Sequence, residues 1–214
     1  MKILRAGVVI LLSMAAQAVQ AEAELANVDI PKTPEAVQRG AETAVNTCLG
    51  CHNLKFLKYG ELSQLGFTDK QLDDLRSGKG LKEALRTDMD PTMLREGFGL
   101  LPPDLSLMAK AREGGPRYIY SLLTGFYQKS DGTVDNHAFP GVKMPDVLSY
   151  SDAKDPAQRT AIEEQARDVA AFLAWAADPH AAERYRLGYY VLAYLVVLTL
   201  LLYLSKRRIW ARLH

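Results

Sequence analysis

The two cysteines of this 214-residue chain lie three residues apart, in the sequence Cys48-Leu49-Gly50-Cys51-His52. Two thiols at this spacing can add to the two vinyl groups of one porphyrin, and a histidine directly after the second thiol then lies beneath the iron. The pattern is typical of c-type haem attachment. We therefore expect one covalently attached haem c, bound through Cys48 and Cys51, with His52 as an axial ligand of the iron.

Two other kinds of site use similar residues. A redox-active cysteine pair does not need the histidine that follows, and the sequence lacks the βαβ pattern of a thioredoxin-like protein. A structural zinc site normally has a second pair of ligands, and His137 and His180 are too widely separated to supply one convincingly. With both cysteines in one motif, no disulfide is left for the rest of the chain.

The N-terminal segment 1–21 has the pattern of a secretory signal. Lys2 and Arg5 precede an apolar run of about 11 residues, and small residues follow it at alternate positions. We expect cleavage after Ala21, with Ala18 and Ala23 as alternatives. The other interpretation is a retained membrane anchor, but the run is too short to span a hydrocarbon core of about 30 Å.

A second apolar segment, Leu187 to Ser205, contains no charged residue. At a rise of about 1.5 Å per residue, its nineteen residues would span a bilayer as a helix. Aromatic residues flank it, and a basic cluster follows it at 206–208, which predicts a cytoplasmic tail at 206–214. Residues 22–186 would then form an exported domain on the other side. A buried core helix is the alternative.

Charge is distributed unevenly along the chain. Twenty of the 26 basic residues and all 25 acidic residues lie in 22–186, which gives that segment a net charge of −5. An acidic exported domain disfavours nucleic acid as a partner and suits a basic protein.

The exported segment shows helical periodicity and no convincing strand pattern. Thr68 is a candidate N-cap, and residues 129–157 are rich in Gly, Pro, Asp and Ser, which predicts a long loop. The predicted fold is mainly α: a class I-like cytochrome c domain with long loops, followed by one C-terminal transmembrane helix. Helices are predicted over about 34–48, within 61–86, and over 105–113, 116–127 and 156–177.

A sixth iron ligand would decide between electron transfer and ligand chemistry, because methionine opposite histidine raises the reduction potential and closes the iron. Met144 is followed by Pro145, which restricts the preceding residue to extended geometry and can hold a thioether away from the backbone. Methionine is more often core filler than ligand, so spacing alone leaves several candidates open. They are Met89, Met93, Met108, His137 and Met144.

Three further segments resemble the cytochrome c1 family, the haem subunit of quinol–cytochrome c reductase (the bc1 complex). The first is Pro102-Pro103-Asp104-Leu105-Ser106, followed by Ala109, Ala111 and Arg112. The second is the run from Tyr118 to Tyr127. The third is the stretch from Asn136 to Leu148, in which Phe139-Pro140-Gly141 precedes Met144-Pro145. A single C-terminal anchor fits the same family.

The resemblance implies a role for several residues. It makes Met144 the sixth ligand, places Arg112 at a haem propionate and Tyr118 near the haem, and puts Pro103 against the haem edge or ring.

The resemblance also implies reduction by the Rieske iron–sulfur protein, oxidation by a cytochrome c, and a cytochrome b partner that carries out quinol oxidation. The chain itself would then have no substrate chemistry, and would lie in a bacterial inner membrane with its haem domain on the periplasmic side.

Two alternatives keep the haem but change its use. A haem c subunit of another membrane oxidase or dehydrogenase would share the haem motif and the anchor, but gives no reason for the proline-pair segment. A haem sensor or peroxidase-like protein would have an open sixth position and would bind carbon monoxide readily.

Overall fold

The computed structural model describes residues 25–211, so the predicted signal segment 1–21 lies outside the described residues. The fold is mainly α, as predicted. Its helices are α1 (Pro34–Asn46), α2 (Asp69–Arg76), α3 (Pro91–Phe98), α4 (Met108–Ala111), α5 (Pro116–Leu123), α6 (Pro156–Ala176) and α7 (Ala181–Trp210). Short 3-10 helices span Cys48–Gly50, Tyr59–Leu65 and Tyr150–Asp152.

The packing of α1 against α6 organises the core. Thr33 caps α1 by accepting a hydrogen bond from Ala36 N, and Pro34 suits its first turn. The two helices approach so closely at Gly40 that an added Cβ would lie 1.9 Å from the backbone oxygen of Asp168. Arg39 binds the Asp168 carboxylate at the same crossing, through Nε at 2.7 Å and Nη2 at 3.0 Å. Phe172 of α6 is fully buried beside the contact.

Two small antiparallel sheets accompany the helices, although the sequence shows no convincing strand pattern. β1 (Leu54–Lys58) pairs with β2 (Ala84–Leu85), and β3 (Phe126–Gln128) pairs with β4 (Val134–Asn136). The predicted helix 116–127 was therefore wrong beyond Leu123, and the predicted loop 129–157 contains a strand. These strands have two to five residues, too few for alternating burial to be visible in the sequence.

Other helices differ from the prediction in length. The predicted helix 105–113 is reduced to α4. Leu107 does not have helical dihedral angles, and the chain becomes extended at Arg112, with φ of −107° and ψ of 138°. Helix α3 was not predicted; Asp90 caps its start, and Gly99, with φ of 74°, ends it. The predicted cap at Thr68 is confirmed, since its hydroxyl accepts from Gln71 N at the start of α2.

Helix α7 contains the predicted segment 187–205 and extends it at both ends. It has 30 residues, and its apolar window is exposed along its whole length. A helix of this length and composition can cross a bilayer.

Candidate functional site

The Cys48–Gly50 turn follows α1 directly and presents the two thiols on one side. The backbone N–H groups of Cys51 and His52 donate to the carbonyl oxygen of Cys48, at 3.1 and 2.9 Å. Leu49 points into the core and is 7% exposed, which fixes the orientation of the turn. Thr87 also stabilises the turn, because its hydroxyl donates a hydrogen bond to the Gly50 carbonyl oxygen at 2.9 Å.

His52 is oriented by the proline-pair segment. Its Nδ1 lies 2.7 Å from the carbonyl oxygen of Pro103. A carbonyl can only accept, so Nδ1 carries the hydrogen and Nε2 keeps its lone pair free for a metal. This is the tautomer that an axial imidazole ligand requires.

The proline-pair segment is itself fixed against the chain that follows His52. The Asp104 carboxylate accepts from Lys55 N at 3.2 Å and from Ser106 N at 2.9 Å. The buried Ser106 hydroxyl accepts from Phe56 N at 3.1 Å. Asp104 and Ser106 therefore fix the position of the Pro103 carbonyl. This supporting role was not predicted from the sequence.

A cavity of about 380 Å³ opens beside these residues. Its walls come from the Cys48–Gly50 turn, the proline-pair segment, α4, α5, α6 and the loop after β4, and they are mainly apolar. All seven residues predicted for the cofactor site line it: Cys48, Cys51, His52, Pro103, Arg112, Tyr118 and Met144. Phe139 of the third family-like segment also lines the cavity, together with apolar residues that were not predicted at the site, namely Phe98, Leu100, Val142, Val169 and Leu173.

The five candidates for the sixth ligand separate into two groups. Met108 and Met144 both line the cavity. Met89 and Met93 are exposed, at 40% and 63%, and do not line it. His137 stacks on Tyr127 with ring centres 4.1 Å apart and is also absent from the lining. The geometry thus reduces five candidates to two, one on a helix and one on a loop.

Arg112 and Tyr118 form one edge of the cavity. The guanidinium carbon of Arg112 lies 5.8 Å from the centre of the Tyr118 ring. Within residues 25–211, no carboxylate pairs with Arg112 in the ion pairs that the structure contains. Arg112 is exposed, and its guanidinium at the mouth of an apolar cavity suits an anionic group of a ligand.

Burial favours the neutral forms of Cys48 and His52. It raises the pKa of the Cys48 thiol to about 11, and the adjacent Cys51 adds to that shift. Burial also lowers the pKa of His52, although the hydrogen bond to Pro103 and the charge of Asp104 act in the opposite direction. Neutral imidazole is the form that binds a metal ion.

Comparison with known proteins identifies the family. The sequence model described as the Cytochrome C1 family matches residues 32–98 and 96–213. Cytochrome c1 of Rhodospirillum rubrum is 33% identical, with 81% of this chain and 80% of that protein covered. The chain belongs to the cytochrome c1 family. Cytochrome c1 of Allochromatium vinosum is similarly related, at 32% identity over 89% of both chains.

A similar protein with a different name is the ammonia monooxygenase gamma subunit of Nitrosomonas europaea. It is 29% identical, and the alignment covers 84% of this chain and 84% of that protein.

Membership of the cytochrome c1 family implies a c-type haem and a place in a bc1 complex. The donor set of the cavity fits such a group. Two thiols lie three residues apart, an imidazole has its Nδ1 already hydrogen-bonded, thioethers lie in the wall, and the guanidinium of Arg112 lies at the edge. The surrounding walls are apolar, as a porphyrin ring requires.

Proposed function

We propose that this chain is a membrane-anchored c-type cytochrome that relays electrons from a Rieske iron–sulfur protein to a cytochrome c within a bc1 complex. One observation supports this most directly: His52 and Met144 line the same apolar cavity as the two thiols. A closed iron with histidine and methionine ligands suits electron transfer, because its coordination is the same in both oxidation states.

The residues have distinct roles in this proposal. Cys48 and Cys51 attach one haem c covalently, His52 and Met144 bind its iron, and Arg112 binds a propionate. Tyr118 and Pro103 pack against the ring or its edge. The haem supplies the one-electron couple between ferric and ferrous iron. The apolar side chains exclude water, and no residue of this chain has to transfer a proton.

The chain's topology follows from its two apolar segments. Residues 1–21 direct export and are removed, and 22–186 form a periplasmic cytochrome domain. Residues 187–205 cross the inner membrane, and the basic tail 206–214 remains in the cytoplasm. The exposed, apolar surface of α7 supports this assignment.

The partners follow from the same assignment. Cytochrome b would carry out quinol oxidation, since nothing in the described cavity suggests a second, quinone-binding site. The Rieske protein donates the electron. The net charge of −5 on 22–186 favours a basic cytochrome c as acceptor.

Co-purification from detergent-solubilised membranes tests the assignment. A tagged full-length chain should carry a haem stain that survives denaturing electrophoresis, and should purify with a b-type cytochrome and an iron–sulfur protein. The variant that combines Cys48→Ser and Cys51→Ser is the matched control, because it leaves no thiol to attach the haem and should lose the covalent stain. A chain without covalent haem, or one that purifies without a b-type cytochrome, would contradict the proposal.

A second candidate is a haem c subunit of another membrane oxidoreductase. It is favoured by the relative from N. europaea, whose name assigns it to an ammonia monooxygenase. The same purification separates the two, because subunits of another oxidoreductase would replace the b-type cytochrome and the iron–sulfur protein.

A further inference from the structure

The loop that carries Met144 has little regular structure of its own. It leaves β4 at Asn136 and reaches the 3-10 helix at Tyr150, and Met144 lies near its middle. A thioether on such a loop binds iron only if the backbone on each side is held in place. The residues that hold it are therefore as important as the ligand.

A turn three residues before Met144 has a defined geometry. Val142 N donates to the carbonyl oxygen of Phe139 at 3.1 Å, and Gly141 has a φ of 75°. Pro140 and Gly141 stand at the two central positions, which is the sequence that a type II turn requires. The turn is thus locally encoded, but its attachment to the rest of the domain is not.

The attachment is made by the side chain of Asp135, which is 8% exposed. Its Oδ1 accepts from Gly141 N at 2.7 Å and from Asn136 N at 2.8 Å. Its Oδ2 lies 2.7 Å from Nζ of Lys129 on the opposite side of the hairpin. One carboxylate therefore joins the β3–β4 hairpin to the turn that leads to Met144.

Asn136 reinforces the same connection and is fully buried. Its Nδ2 donates to the carbonyl oxygen of Leu122 at the end of α5, at 2.7 Å. Its Oδ1 accepts from Ala138 N at 2.9 Å and Phe139 N at 3.1 Å. The start of the loop is thereby fixed to the helix that also carries Tyr118.

We propose that Asp135 is a positioning residue for Met144, acting through the Gly141 N–H to hold the methionine loop at the haem. The inference rests on the proposed function, in which Met144 binds the iron. The inference goes beyond the proposed function because it assigns control of the bond between Met144 and the iron to Asp135, which lies nine positions away and does not line the cavity.

Four variants of the haem-loaded, full-length chain test this inference. Asp135→Ala removes both acceptors, and Asp135→Asn keeps an oxygen that can accept from Gly141 N. Asp131→Ala is the matched control, since it makes the same change in net charge on the same hairpin. Among residues 25–211, the Asp131 carboxylate accepts hydrogen bonds from Thr133 alone, through its N–H at 2.9 Å and its hydroxyl at 2.6 Å. Met144→Ala reports on the ligand itself.

Three measurements are compared: the methionine-to-iron charge-transfer band of the ferric protein, carbon monoxide binding to the ferrous protein, and the thermal unfolding midpoint. Below that midpoint, Asp135→Ala should lose most of the band and bind carbon monoxide at least about tenfold more readily. The Gly141 N–H and the buried Asn136 N–H lose their shared acceptor, so the turn before Met144 loses its attachment to the hairpin. Asp131→Ala should match the wild type. Asp135→Asn should keep the band.

The outcomes distinguish the two levels of the hypothesis. If Met144→Ala keeps the band, Met144 is not the ligand and the proposed function fails at that point. If Met144→Ala loses the band but Asp135→Ala behaves like Asp131→Ala, only the positioning role is overturned. Equal loss in Asp135→Asn and Asp135→Ala would also overturn it. Should Asp135→Ala not fold, Asp135→Ser replaces it, because its side chain is one bond shorter and cannot reach Gly141.

Discussion

Single side chains around the cavity act mainly by fixing the position or charge of their neighbours. The Pro103 carbonyl selects the tautomer of His52 through one hydrogen bond of 2.7 Å. Asp104 and Ser106 in turn hold the backbone that bears this carbonyl. Arg112 contributes a charge at the cavity edge, where its nearest aromatic partner is Tyr118. Each of these contacts has a consequence that can be measured separately.

The charge of Arg112 should raise the reduction potential. Reduction adds one negative charge to the haem, and a nearby cation stabilises the reduced state. We expect Arg112→Gln to lower the midpoint potential by about 20–60 mV, the order of magnitude for one partly screened charge beside the cofactor. Redox titration of the purified protein measures the shift.

Arg117 provides the control for that titration. It is exposed on α5, donates to the carbonyl oxygen of Ala26, and does not line the cavity. Arg117→Gln makes the same change in net charge and should leave the potential within a few millivolts. Equal shifts in both variants would show that Arg112 has no special place at the cofactor.

Asp135 should also affect stability as a function of pH. Its ion pair with Lys129, together with the N–H groups of Gly141 and Asn136, lowers its pKa from 3.8 to about 2. A lowered pKa in the folded state adds stability that is present above pH 4 and is lost as the pH falls towards 2. In denaturant unfolding, wild type and Asp135→Asn should differ at pH 6, and this difference should vanish by about pH 2. A difference that is constant with pH would contradict the assignment.

At the scale of elements, the close crossing of α1 and α6 sets the position of the haem motif. Gly40 allows the contact because it has no Cβ, and Ala36, Ala41 and Ala44 keep the rest of the α1 face small and buried. The Cys48–Gly50 turn begins two residues after α1 ends. Val169 and Leu173 of α6 line the cavity from the opposite side. Movement of either helix would therefore change the cavity.

Gly40→Ala should destabilise the protein. The new Cβ would lie 1.9 Å from the Asp168 backbone oxygen and 2.9 Å from Cβ of Phe172, so the helices must separate. We expect a loss of about 2–3 kcal/mol in the free energy of unfolding. Gly97→Ala is the control, because Gly97 lies in α3 with nothing within 4 Å of an added Cβ. That change should raise stability by up to about 1 kcal/mol, and a similar loss in both variants would contradict the packing argument.

The helices and strands differed in how accurately their bounds could be predicted from the sequence. Helices α1 and α6 have strong apolar periodicity and clear N-caps, and both were predicted within one or two residues. The β3–β4 hairpin was not, although Asp131 and Gly132 lie at its turn. Its strands have three residues each and depend on contacts with α5 that no local pattern records. Strands this short form only where tertiary contacts stabilise them, so they cannot be predicted from the local sequence.

At the scale of the whole molecule, an acidic domain is joined to an apolar helix. Asp178 lies at the junction, where its carboxylate pairs with Lys110 of α4 at 2.8 Å and with Arg184 in the first turns of α7. These two hydrogen-bonded cations lower the pKa of Asp178, so its charge is retained to a lower pH than that of an ordinary aspartate. The cavity wall and the long helix are thereby connected through one residue.

The charge of the acidic domain should control association with its electron acceptor. Oxidation of the reduced protein by a basic cytochrome c should slow by about tenfold or more as the ionic strength rises from about 0.01 to 0.2 M, because salt screens the attraction. Stopped-flow kinetics measure this rate. An acidic cytochrome c should show a weak or opposite dependence, and a rate that is independent of salt with the basic partner would contradict steering by charge.

The sequence by itself determined the chemistry and the long elements. The spacing of residues along the chain defines the Cys48–His52 motif, and composition defines the apolar helix. Both can therefore be recognised without knowledge of the tertiary structure. The tertiary structure decided which residues meet at the cavity. It brought Met108 and Met144 to the wall, excluded Met89, Met93 and His137, and assigned the Pro103 carbonyl to His52. It also showed the bond from Asp135 to Gly141. Such contacts join segments whose positions depend on packing, and packing cannot be deduced from local pattern alone.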